Sequence, residues 1–99
     1  MSYSLVFHPL AEKEYLEAYL YYEIKKPGLG ERFEQAIDFR LKRIQAKPGH
    51  YKTSHRTYRE ASVDIFPFVI VYKITRGKNR VYVVSVYHTK RNPKHKFRK

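Results

Sequence analysis

The stretch Ile65-Phe66-Pro67-Phe68-Val69-Ile70-Val71-Tyr72-Lys73-Ile74, followed by Thr75-Arg76-Gly77-Lys78-Asn79 and then Val81-Tyr82-Val83-Val84-Ser85-Val86-Tyr87-His88, decides the fold. The first run is almost wholly apolar and aromatic, the pattern of a central strand covered on both faces. At its apolar core, Ile65 to Tyr72, it falls well short of the ~18 residues that suggest a membrane span. Pro67 has no N–H to give a ladder, so a bulge or a late strand start is predicted there. Residues 75–79 are polar, contain glycine and read as a hairpin loop. Val81 to His88, rich in β-branched residues and tyrosine, is the returning strand.

Working outward, His55 to Ser62 is predicted as a further strand, polar in pattern and soft at its ends. Upstream of it the periodicity changes. Leu29, Phe33, Ala36, Ile37, Leu41 and Ile44 recur at helical spacing, which predicts a helix over about 29–46. Glu31, Glu34 and Asp38 lie early in it, and Arg40, Lys42, Arg43 and Lys47 late, matching the helix dipole. Pro48-Gly49 ends it. Ala11, Tyr15, Ala18 and Tyr22, with Tyr19 beside them, predict a first helix over about 9–24, opened by Pro9 and broken at Lys25-Lys26-Pro27-Gly28. Tyr3, Leu5 and Phe7 alternate as a short first strand. The expected order is β-α-α-β-β-β: an α+β domain with an N-terminal helical hairpin packed on a small, twisted, mostly antiparallel sheet. Residues 1–99 are expected to form one domain, with 89–99 a basic tail.

The chain has 99 residues and no cysteine, which excludes a disulfide framework and a thiolate metal site. A hydrophobic content of 42% argues against disorder. No secretory signal is read at the N-terminus, and a cytoplasmic, non-membrane location is expected. The net charge is +12, and its distribution is lopsided. Residues 1–38 hold four Lys/Arg against seven Asp/Glu, whereas residues 39–99 hold seventeen Lys/Arg against Glu60 and Asp64. Such a basic half attracts a polyanion: RNA, DNA, an acidic protein or anionic lipid.

The element order resembles the RelE/ParE toxin superfamily. So do Tyr58-Arg59, the aromatic-Pro-aromatic start of the central run (Phe66-Pro67-Phe68), and the segment Val81 to Pro93 with its His88-Thr89-Lys90-Arg91-Asn92-Pro93. The similarity spans essentially the whole chain and is closer to the ParE-like, plasmid-stabilisation branch. It implies a type II toxin–antitoxin module: a growth-inhibiting toxin neutralised by a cognate antitoxin protein. It also implies one of two targets. ParE-like members inhibit DNA gyrase; RelE-like members cut mRNA on the ribosome. A non-toxic nucleic-acid-binding module is the third possibility.

Metal-independent RNA cleavage needs a general base, a general acid and cations around the scissile phosphate. Arg59, His88 and Arg91 are the candidates if the chain is a ribonuclease. Lys52, Arg56, Tyr58, Arg59, Lys90, Arg91, Lys94 and His95 are the candidates for contact with a target or nucleic acid. Plainer roles stand beside these: Arg59 pairing with Glu60 or Asp64, and His88 as a hydrogen-bonded strand-end histidine. The resemblance also brings a departure, because RelE-like ribonucleases carry an arginine on the central strand where Val69 stands here. No cofactor and no metal site are expected, since no carboxylate cluster accompanies the histidines.

Overall fold

A computed structural model describes residues 3–75 and 77–90 of the chain. It contains β1 (Ser4–Phe7), α1 (Pro9–Lys25), α2 (Leu29–Ala46), a 3-10 turn (Pro48–His50), β2 (Thr53–His55), β3 (Tyr58–Ser62), β4 (Phe68–Thr75) and β5 (Arg80–His88). The five strands form one sheet in the order β1-β5-β4-β3-β2. β1 runs parallel to β5, and the other pairs are antiparallel. The α+β architecture is the expected one, and both helices lie where periodicity placed them.

Two local features differ from expectation. The polar segment expected as one strand is a hairpin, in which β2 and β3 flank Arg56-Thr57 and Arg56 takes φ 51°. Arginine in the left-handed region carries none of the glycine or asparagine signal that marks such turns, so nothing in the sequence announced it. The central strand begins at Phe68 rather than Ile65. The N–H of Val63 bonds the carbonyl of Phe68 across the loop, and Ile65, at φ 72°, projects into solvent.

The helical hairpin closes tightly. The two carboxylate oxygens of Glu23, near the end of α1, accept the N–H groups of Gly28 and Gly30, each at 3.0 Å, and so cap the start of α2 with an anion. A Cβ on Gly30 would sit 2.8 Å from the Tyr19 carbonyl oxygen, so only glycine allows the helices to approach this closely.

The main core fills the space between the hairpin and one sheet face. Ala11, Ala18, Phe33, Ile37, Leu41 and Ile44 meet Ala61, Phe68, Ile70, Tyr72, Val81, Val83 and Val86. Tyr22, Phe33 and Phe66 pack with centroids 4.9–5.3 Å apart, two of the three pairs edge-on. The opposite sheet face carries a smaller buried cluster of Tyr58, Val71, Val84 and Tyr87. α1 is apolar on both sides: Leu16, Leu20 and Ile24, at i, i+4 and i+8, are 57%, 47% and 83% exposed.

One polar contact joins α1 to the sheet. Val71 pairs with Ser85 and Tyr72 with Val83, so Val84 has no opposite number and β5 bulges. The bulge directs the Ser85 hydroxyl and the Val86 N–H at Glu14, whose Oε1 accepts them at 3.0 and 3.1 Å. Glu14 is only 8% exposed. Replacing it by leucine leaves two buried donors unmatched and is expected to lower the free energy of urea unfolding by about 2–3 kcal/mol. Glu14→Gln, which keeps an acceptor, should lose less than about half of that; equal losses would mean the acceptor is immaterial.

Burial, with the carboxylates of Glu34 and Asp38 beside it, pushes the Tyr15 phenol up from 10.0 to about 12. The folded protein therefore holds this proton more tightly than the unfolded chain does. Its contribution to stability is complete below pH about 10 and is lost as pH rises towards about 12. Tyr15→Phe is expected to flatten this alkaline decline in denaturation measured across that range.

Candidate target interface

The register of the sheet brings the basic segments to one end. Arg59 lies opposite Tyr72, Thr75 opposite Arg80, and Ser4 beside Arg80. The β2–β3 turn, the β4–β5 turn and the start of β1 therefore share an end. The end of α2 joins them, since Gln45 Nε2 bonds the Tyr3 carbonyl at 2.7 Å and the Tyr3 N–H bonds the Gln45 carbonyl at 3.0 Å. Lys52, Arg56, Arg59, Lys78 and Arg80 gather here. The β3–β4 loop with Asp64, and the turn of the helical hairpin that packs near it through Tyr22 and Phe66, lie at the other end. These cations of the second half share one end, whereas Lys90 leaves β5 at the other, beside Pro67 and Phe68.

Not all of this charge faces outward. Arg59 is half-buried, and its Nη1 donates to the carbonyls of Tyr51 at 2.5 Å and Gly49 at 3.4 Å. The Tyr72 hydroxyl donates to the Pro48 carbonyl at 2.5 Å, and burial pushes that phenol far up. Arg40 donates to the Tyr51 hydroxyl at 3.0 Å and pairs with Asp64 at 2.8 Å. Three side chains therefore hold residues 48–51. Arg59 thus stitches backbone.

Lys52 and Arg56 are exposed, and Arg56 makes no hydrogen bond or ion pair with another described residue. Tyr58 is on the face away from the helices and only 9% exposed. His55 stacks on its ring at 6.5 Å, and Lys73 Nζ lies 5.9 Å from it and 5.6 Å from the ring of Tyr82. His8 stands 6.1 Å from Tyr82. Histidine, tyrosine and lysine thus form one row across the sheet, to which the sequence pattern had supplied only Tyr58. The alternation of Lys73 and Tyr82 in their strands was the available signal for the others.

His88 ends β5 opposite Phe68, with its ring edge-on to that phenylalanine at 5.0 Å. Its Nδ1 accepts the Lys90 N–H at 3.1 Å. It lines a groove beside α1 with Glu14, Glu17, Lys25 and Phe68. On β4, the residues facing Arg59 and His88 are four positions apart, roughly 13 Å. The fold does not bring this arginine and this histidine to one phosphate. Lys90 is exposed beyond the strand. Arg91, Lys94 and His95 lie outside the described residues. Val69, on the central strand, packs against the second cluster. Among the described residues no group of three His, Asp or Glu could hold a metal ion, and no helix is long and apolar enough to cross a membrane.

If Arg59 anchors the segment before β2, Arg59→Ala should destabilise the protein by about 1–3 kcal/mol. Hydrogen exchange should then accelerate in residues 48–53 ahead of the rest of the sheet; uniform acceleration would deny it a local role.

Both the sequence and the shape of the chain have counterparts among known proteins. No curated protein sequence matches the chain. In shape, it resembles a chain of the chromosomal ParDE toxin–antitoxin system from P. aeruginosa, with a TM-score of 0.76 over 90% of this chain and 98% of that one. At 16% identity that is a likeness of fold. Residues 5–93 match the family described as the ParE toxin of the type II toxin–antitoxin system parDE. With nearly the whole length matched, the chain belongs to the ParE toxin family.

Proposed function

We propose that this type II toxin arrests growth by inhibiting DNA gyrase, and that a cognate antitoxin neutralises it. The observation that carries the proposal is the family match over residues 5–93, which extends through every strand and helix of the fold. Two features of the site argue in the same direction. An aliphatic residue, Val69, occupies the central-strand position at which RelE-like ribonucleases carry arginine. Arg59 is engaged by backbone carbonyls and lies far from His88. A non-enzymatic poison needs neither an acid nor a base, only a surface. That surface is the basic end, with Lys52 and Arg56 as its exposed contacts; Lys90, which leaves β5 at the opposite end of the sheet, and Arg91, Lys94 and His95 after it in the chain are proposed as a separate set of contacts. The antitoxin is proposed to cover the exposed apolar face of α1 and to bring acidic groups to the basic end, which makes association fast and salt-sensitive.

Purified gyrase should lose supercoiling activity at micromolar toxin, and prior mixing with the cognate antitoxin should restore it. Undisturbed supercoiling, with codon-phased cuts in cellular mRNA after induction, would replace this proposal with the ribosome-dependent endonuclease.

A further inference from the structure

At the basic end, on the helix side of the sheet, lies a cavity of about 510 Å3. That size suits a nucleotide-sized ligand. Arg56, Arg59, Thr53, Thr57, Thr75 and Asn79 supply its polar lining, and no carboxylate lines it among the described residues. Tyr3 and Ile74 form an apolar wall. The two arginines differ in kind. Arg59 is fixed by the carbonyls of Tyr51 and Gly49, so its charge stands in one place at the cavity. Arg56 rides the tip of a turn and bonds no other described residue, so it is free to close on a ligand.

We infer that this cavity binds one nucleotide of an unpaired nucleic-acid strand, its phosphodiester against Arg56 and the threonine hydroxyls and its base against Tyr3 and Ile74. The inference deepens the contact proposed above for the basic end and rests on that end facing the target. The lining matches the ligand part by part. A phosphodiester carries one negative charge and acceptor oxygens, which call for cations and hydroxyl donors without competing carboxylates. A base needs an apolar or aromatic wall rather than a hydrogen-bonding code, so the site would take many sequences. A paired duplex keeps its bases stacked inside and cannot place one in a cavity of this shape.

The test is fluorescence anisotropy of the full chain with labelled 12-nucleotide single-stranded DNA, the RNA of the same sequence and the 12-base-pair duplex, at roughly 50 mM salt. Asparagine tolerates the left-handed backbone at residue 56, so Arg56→Asn should fold, and its thermal melting checks this. It is expected to weaken single-strand binding about tenfold and to lower the slope of log affinity against log salt by about one. Arg56→Lys should keep most of the binding. Thr75→Val, which preserves shape, should weaken single-strand binding several-fold and leave the duplex indifferent. Lys26→Asn, at the far end, should change nothing beyond about twofold. Equal losses for Arg56→Asn and Lys26→Asn would reduce the effect to diffuse net charge and overturn the inference, as would the absence of single-strand binding. The DNA and RNA arms identify which strand is preferred. The same variants go into the supercoiling assay. Strand binding through Arg56 without gyrase inhibition sinks the gyrase target and leaves this site standing. Gyrase inhibition without strand binding does the reverse.

Discussion

A single buried carboxylate sets how the two layers meet. Glu14 is the one acidic group of α1 enclosed by the fold, and it is there because β5 bulges at Val84 and turns two donors toward the helix. Were Glu14 apolar, the bulge would bury unmatched polar groups; were β5 regular, the helix would bury an unmatched charge. Each is tolerable only with the other. The contact sits between Ala11 and Ala18, whose small side chains let α1 lie close to the sheet. From there the axis of α1 is fixed, and Glu23 and Gly30 fix where α2 starts. The end of α2 then meets Tyr3 and closes the basic end.

The electrostatic layout follows from this scaffold rather than from local pairing. Seven of the nine acidic residues lie within residues 1–38, on α1 and the first half of α2. The turns at residues 56–57 and 77–79 share the other end of the sheet, and their cations lack carboxylate neighbours in the cavity between them. The cations of these turns give that end a positive field of its own. Arg40 and Arg59 show that a count of basic residues overstates this field. Both are drawn inward to hold the segment leading into β2, so the outward charge rests on fewer groups such as Lys52, Arg56 and Lys78.

The helices were legible because their apolar residues repeat at a period no strand shares, and because Pro9, Gly28 and Pro48-Gly49 punctuate them. The β4–β5 pair was legible from its density of β-branched residues. The β2–β3 hairpin was not, since its turn uses arginine at positive φ and its first strand is exposed on every residue. The parallel pairing of β1 is a long-range fact that no local pattern encodes. Lys52, Arg56 and Arg59 at the basic end could be named from the sequence. Their surroundings could not, because whether an arginine faces solvent or a carbonyl depends on register, as Arg56 and Arg59 demonstrate three residues apart. Glu14 was invisible for the same reason: a glutamate on an amphipathic helix reads as solvated until a bulge in a strand seventy residues away supplies its donors.

The strand order has a consequence for timing. β5 follows every other described strand in the chain, yet it lies inside the sheet, bridging β1 and β4. A growing chain that stops short of residue 80 has no partner for its first strand and no donors for Glu14, so the sheet and its contact with α1 cannot close before β5 has been translated.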